Sequence, residues 1–152
     1  MESGIRKWLF RHTSQSVCPW NVRFSQELRE PAFAPRVALG GTDARTPARA
    51  LLDMTQEEFS RAFKGSPMKR AKLRGLKRNS AVVLGNVGSV DDVPALVAVL
   101  SDEEPLVRGH AAWALGRIGS PAATEPLRER LSSEGDPWVA GELRSALVAL
   151  GG

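Results

Sequence analysis

A chain of 152 residues, 25% charged and 42% apolar, has the composition of a globular protein and the length of one domain, or of one domain with a tail. No apolar run approaches the ~20 residues that span a bilayer, residues 1–11 lack the apolar core and cleavage site of a secretory signal, and a single cysteine excludes an internal disulfide, so a cytoplasmic protein without a membrane partner is expected. The net charge of +4 conceals a division: residues 1–90 carry sixteen Lys+Arg against seven Asp+Glu (+9), and residues 91–152 carry five against ten (−5).

Along the chain, residues 1–50 are broken by Pro19, Pro31, Pro35, Pro47 and Gly40-Gly41. Residues 22–50 read as an extended connector lying on another surface. Helical order begins near Thr55, where Thr55 and Glu58 form a capping-box pattern and Phe59 and Phe63 follow at i and i+4 on one face. Gly65-Ser66-Pro67 ends that helix. A basic linker follows, and a second helix from about Gly75 carries Leu76, Val82, Val83 and Leu84. Between residues 61 and 78 stand Arg61, Lys64, Lys69, Arg70, Lys72, Arg74, Lys77 and Arg78, with no acidic residue among them. Such a cluster is either an electrostatic footprint for nucleic acid or a solvated face.

From Asp91 the helical pattern is regular. Asp91-Asp92 precede an apolar helix, as suits a helix N-terminus. A turn over residues 101–105 ends on Pro105, pre-set for a first helical position, and a partner helix carries Val107, Ala111, Ala114, Leu115 and Ile118. Gly119-Ser120-Pro121 separates it from a further pair at about 122–131 and 137–150. The wording repeats: residues 79–89 read N-S-A-V-V-L-G-N-V-G-S, and residues 110–120 read H-A-A-W-A-L-G-R-I-G-S. Leu84-Gly85 falls on Leu115-Gly116, and Gly88-Ser89 on Gly119-Ser120. A fainter copy maps Val107 to Val139 and Ala114-Leu115 to Ala146-Leu147. A fixed period of this size predicts an all-α stack of helical pairs, an α-solenoid, preceded by an irregular Pro-rich segment. The helix bearing Trp113 is expected to be buried between layers, with the indole in the core.

No catalytic constellation is visible. Of the two histidines, His12 and His110, the second sits in the repeat and reads as structural. Residues 85–88 read as a glycine-capped helix end and not as a phosphate loop. Cys18 stands in V-C-P-W-N. A Cys-Pro pair ends ferredoxin-type cluster motifs, but a 4Fe-4S cluster takes four thiolates and this chain has one.

V-C-P-W-N at 17–21, L-L-D-M-T-Q-E-E-F at 51–59, G-S-P-M-K-R at 65–70, G-L-K-R-N at 75–79, A-V-V-L-G-N at 81–86 and V-R-G-H-A-A-W-A-L-G-R-I-G at 107–119 together resemble the C-terminal part of epoxyqueuosine reductases. The resemblance runs from about Gln15 onward. It implies a family that completes queuosine synthesis at the tRNA wobble position with a cobalamin and two 4Fe-4S clusters, and whose HEAT-like repeat tail binds the anticodon stem-loop. The family's pattern C-x-x-C-x-x-x-C-P-W-N places Cys18 at its last ligand, while the two earlier positions fall on Arg11 and Ser14. The implied organisation is the end of an iron–sulfur domain and a connector over 1–50, then a HEAT-like domain over 51–152. Without the cobalamin domain, no catalytic capacity and no cofactor are expected of this chain alone; Cys18 is the single remaining candidate metal ligand. The candidate RNA contacts are Lys64, Gly65, Ser66, Lys69, Arg70, Lys72, Arg74, Lys77 and Arg78. The alternative is a stand-alone repeat adaptor that binds protein through its acidic half.

Overall fold

The computed structural model describes Arg23 and residues 43–151, and the helices below all belong to one compact unit, Arg36–Gly152. Cys18, the prolines at 19, 31 and 35, and Gly40-Gly41 lie outside the described residues. Within residues 43–151, seven α-helices follow in order: α1 (Arg45–Asp53), α2 (Gln56–Ala62), α3 (Lys72–Val87), α4 (Val93–Ala98), α5 (Pro105–Ile118), α6 (Thr124–Ser133) and α7 (Pro137–Ala149). Short 3-10 turns precede α3, α4 and α6, and another follows α4. There is no strand among the described residues.

Helices α1, α3, α5 and α7 pack in succession as one layer, and α4 and α6 cover its other side. The repeat in the sequence is the repeat of buried positions. Leu84 and Leu115, and Ala81 and Ala112, stand one period apart and are fully buried; Val107 and Val139, which answer each other in the fainter copy, are fully buried too. Each such Leu or Val contributes about 1.5–3 kcal/mol of burial, and neighbouring pairs share one continuous core. The layer is thin because small residues line its contacts. A Cβ added at Gly116 would stand 2.9 Å from the Ala146 Cα of the next helix, and one at Gly85 would stand 2.4 Å from the Trp113 ring.

Local signals account for the helix starts. The capping box at Thr55 is formed: the Glu58 N–H donates to Thr55 Oγ1, and the Thr55 N–H donates to Glu58 Oε2 at 2.8 Å. Pro105 and Pro137 open α5 and α7, and Asp136 caps α7 by accepting from the Trp138 and Val139 N–H groups. A second, smaller core of Leu51, Phe59, Phe63 and Leu76 holds α2 against α1 and α3.

Three features differ from the sequence-based expectation. Residues 45–50 are helical, not extended, so the helical unit begins before residue 51. Pro47 does not break α1 because it stands in the first turn, where its missing N–H has no helical acceptor to lose. Helix α3 begins at Lys72, ahead of Gly75. The helix bearing Trp113 is central and buried, yet the indole itself is only half-buried and faces a groove.

The contacts at the two glycines of α5 separate rigid from yielding neighbours. At Gly116 the obstacle is backbone; at Gly109 it is the ring of Trp138, which is 44% exposed and can swing away. Gly116→Ala is expected to cost about 1–3 kcal/mol by overpacking, lowering the melting temperature by roughly 3–4 °C per kcal/mol. Gly109→Ala should cost markedly less. Melts followed by far-UV circular dichroism check this, and equal losses would refute the close approach of α5 and α7.

Candidate nucleic-acid interface

The basic segment is built as a tight reversal between α2 and α3. Phe63 ends α2, Gly65 turns the chain at φ +71°, and Pro67 opens a 3-10 turn over Pro67–Ala71. Ser66 caps that turn by accepting from the Met68 N–H at 3.2 Å, while its own N–H donates to Phe63 O at 3.0 Å. Nothing lies within 4 Å of where a Gly65 side chain would stand, so the backbone there is open to approach. At the junction with α3, Lys72 adopts φ 56° and ψ 161°. That region is almost restricted to glycine, and holding a lysine there costs about 1–3 kcal/mol.

The structure divides the eight cations. Lys64, Lys69, Arg70 and Lys72 are exposed, and among the described residues none of them has an ion pair. Arg61 pairs with Glu57 at 2.7 Å one turn away on α2, both side chains largely exposed; such a pair is worth little and is easily exchanged. Arg74 approaches Glu104 at 3.6 Å. Lys77 is committed: its Nζ donates to Asp102 Oδ2 at 2.9 Å, with the two side chains only 15% and 14% exposed. Arg78 is half-buried, and its Nε is enclosed without a hydrogen-bond partner. Lys72, Arg74 and Lys77 share a groove of about 560 Å³ with residues 101–104. The acidic wall of that groove leaves no local trace in the sequence, because Lys77 and Asp102 lie on either side of α4.

Elsewhere, cations of the chain are occupied in buried clusters. Asp92, fully buried, accepts from Arg45 Nε at 2.9 Å, from Arg49 Nε and from the Ser89 N–H at 2.7 Å, while Arg45 Nη2 donates to Ser89 Oγ at 2.6 Å. Burial pushes the Asp92 carboxyl up, but the Ser89 N–H and the two guanidinium groups together outweigh it and hold it below its ordinary value. Glu134, 1% exposed, takes a bidentate pair from Arg108 (Nε and Nη2, each 2.8 Å), together with Arg130 Nη2 at 2.9 Å and the Asp136 N–H at 2.9 Å. Arg108 Nη1 donates in addition to the carbonyls of Asp102 and Glu103 at 2.9 and 3.0 Å. The hydrogen bonds from Arg108 lead the effects that depress Glu134, against burial, from 4.5 to about 2.

No cluster of three or more His, Cys, Asp or Glu able to hold a metal exists among the described residues. The lone cysteine of the chain does not fit a 4Fe-4S cluster, which needs four ligands. His110 is accounted for by its Nδ1–H, which donates to Leu106 O at 2.8 Å.

A layered stack of short helical pairs, here with an unpaired cationic turn at its start, defines a helical-repeat protein. A family model of HEAT repeats matches residues 71–148, and the chain belongs to that family. It is 41% identical over 106 residues to an epoxyqueuosine reductase of Xanthomonas campestris pv. campestris, covering 69% of this chain and 28% of the enzyme. Against the epoxyqueuosine reductase of Bacillus subtilis strain 168 it is 29% identical over 139 residues, covering 91% and 35%. Among solved structures it resembles, with a TM-score of 0.76 and 27% identity, an epoxyqueuosine reductase crystallised with a tRNA-Tyr epoxyqueuosine-modified tRNA stem loop; the match covers 92% of this chain and 36% of that one. The chain thus spans about a third of the length of the enzymes it matches.

Two outcomes follow from the charges and the backbone. The folded protein keeps Glu134 ionised down to about pH 2, whereas the unfolded chain protonates it near 4.5. The stabilisation, on the order of 3 kcal/mol, is therefore complete above about pH 4.5 and is lost as pH falls through about 2; Asp92 acts in the same direction. Denaturant titrations at neutral and acid pH should show this loss, and Glu134→Gln should remove most of the acid dependence. At the junction, Lys72→Gly relieves the left-handed backbone and Lys72→Ala does not. The glycine variant is expected to be more stable than the alanine variant by about 1 kcal/mol; the reverse order in thermal melts would refute the strain.

Proposed function

We propose that this chain is the RNA-docking, C-terminal portion of an epoxyqueuosine reductase, with the tRNA anticodon stem-loop as its partner. The whole enzyme would act in the cytoplasm, reducing epoxyqueuosine to queuosine at the wobble position with a cobalamin and two 4Fe-4S clusters. The portion present here would lack catalytic capacity by itself, and Cys18 would join a cluster only with ligands from elsewhere. The observation that carries the reading is the cationic reversal: Lys64, Lys69, Arg70 and Lys72 are exposed and unpaired around an open Gly65 backbone. The similarity to a reductase solved with a tRNA stem loop supports it.

The division of the cations gives each residue a role. Lys64, Lys69, Arg70 and Lys72 donate to phosphate oxygens, Arg61 exchanges Glu57 for phosphate, and Gly65 lets the strand come close. Ser66 shapes the turn and does not present its N–H, which Phe63 O already accepts. Arg74 and Arg78 extend the surface along α3, and Lys77 supports it through Asp102. RNA loops are held in this way by backbone and shape contacts.

Filter binding of an anticodon stem-loop at several salt concentrations tests the reading. Five phosphate contacts give a slope of log K against log salt of about −3.5 to −4.5, and Lys69→Ala with Arg70→Ala should reduce its magnitude by about 1.5–2. Lys77→Ala should leave the slope in place and instead lower stability by about 1.5–3 kcal/mol, the value of a charged hydrogen bond. Absent or salt-independent binding would overturn the proposal.

A further inference from the structure

The faces of α5 and α7 carry a feature that RNA docking does not use. His110 and Trp113 on α5, and Trp138 and Glu142 on α7, surround a groove of about 240 Å³ completed by Gly109 and Val82. The volume falls below the ~300–1,000 Å³ of pockets for drug-sized ligands, so it suits a single side chain and not a cofactor. The aromatic walls pack over glycines. The six-membered ring of Trp138 lies where a Gly109 Cβ would stand, and that of Trp113 lies over Gly85, each within 2.4 Å of the missing atom. His110 lies against Trp138, ring centroids 5.6 Å apart at 53°, and its Nδ1–H is held by Leu106 O.

Two observations point to what the groove receives. Trp138 is 44% exposed, a large aromatic surface left in water. Glu142 is half-buried and has neither an ion pair nor a hydrogen bond among the described residues; no Lys or Arg lines the groove. Indole faces and a carboxylate all attract positive charge. We propose that the groove is a receptor for an arginine side chain of a partner protein, whose planar guanidinium stacks on Trp138 and donates to Glu142. Arginine fits better than lysine because it stacks and forms paired hydrogen bonds at once. A nucleobase shares the planar shape but brings a phosphate, and this half of the chain, at −5, offers the groove no cation to meet it.

The test is NMR titration of the full chain, following the indole N–H signals of Trp113 and Trp138, assigned through Trp113→Phe and Trp138→Phe. The probes are N-acetyl-arginine amide, its uncharged isostere N-acetyl-citrulline amide, and guanosine monophosphate. The expected result is a saturable shift of both signals with the arginine amide in the millimolar range, none with citrulline, and a weakening of up to about fivefold in Glu142→Gln. Trp138→Ala should abolish the response at Trp113; should that variant unfold, Glu142→Gln carries the comparison. No saturable shift with the arginine amide, an equal shift with citrulline, an undiminished affinity in Glu142→Gln, or tighter binding of guanosine monophosphate would each overturn the proposal.

Discussion

Arg108 binds three chain segments at one buried point, and the register of the stack depends on it. From the middle layer it grips Glu134 in the turn ahead with two nitrogens, and with the third it caps the carbonyls of Asp102 and Glu103 in the turn behind. Lys77 occupies the matching place one repeat earlier and holds Asp102, which in turn stands one repeat before Glu134. The same bond therefore recurs with the sequence repeat: a cation on one inner helix fastens the turn that opens the next. Enclosed ion pairs bear a large desolvation cost, and their net stabilisation is small unless every donor and acceptor is matched. Here Glu134 is matched by three neighbours, which is why its carboxyl resists protonation so far below its ordinary range.

This arrangement also decides where cations are left free. In the regular part of the stack, Lys77 and Arg108 are consumed internally, and Arg45 and Arg49 are consumed by Asp92. The first pair is irregular. Helix α2 is short, its separate core of Leu51, Phe59, Phe63 and Leu76 is small, and the chain returns to α3 through a 3-10 turn and a strained Lys72. No acidic turn precedes α3 in the way that residues 101–104 precede α5. Lys64, Lys69 and Arg70 consequently have no carboxylate partner among the described residues, and Lys72, which lines a groove with Glu103 and Glu104, pairs with neither. The free cations gather where the repeat's own pairing rule lapses.

Signals that act over a short stretch of chain were legible in the sequence, and those acting across the stack were not. The capping box at Thr55, the prolines that open α5 and α7, and the repeat period all describe neighbours within one or two turns or a fixed translation. Pro47 misled because a proline in the first turn of a helix and a proline in a connector look alike until the burial of Ala48, Leu51 and Leu52 is known. Asp92 reads as a charge at a helix start; its burial against Arg45 and Arg49, on a helix far upstream, has no local trace. The basic cluster was visible as a count, but its division into free and committed cations follows from partners on other layers. The repeat does encode one of these pairings. Sliding Lys77 onto Arg108 and Asp102 onto Glu134 reveals a recurring pattern of charge within the single chain.

The charge division then acquires a spatial meaning. Lys72 opens α3, and Val82, further along the same helix, lines the aromatic groove. At about 1.5 Å of rise per residue these points lie about 15 Å apart along the helix. Exposed charges are screened over about 8 Å at physiological salt. Along α3, Lys72 is therefore largely screened from the groove wall at Val82, and the net charge of +4 describes neither end. Phosphate approaching the reversal meets the exposed cations there, while a cation approaching Trp138 meets the Glu142 carboxylate. A stack of helical pairs can keep two such surfaces on one small domain because its layers are rigid and its internal charges are already paired.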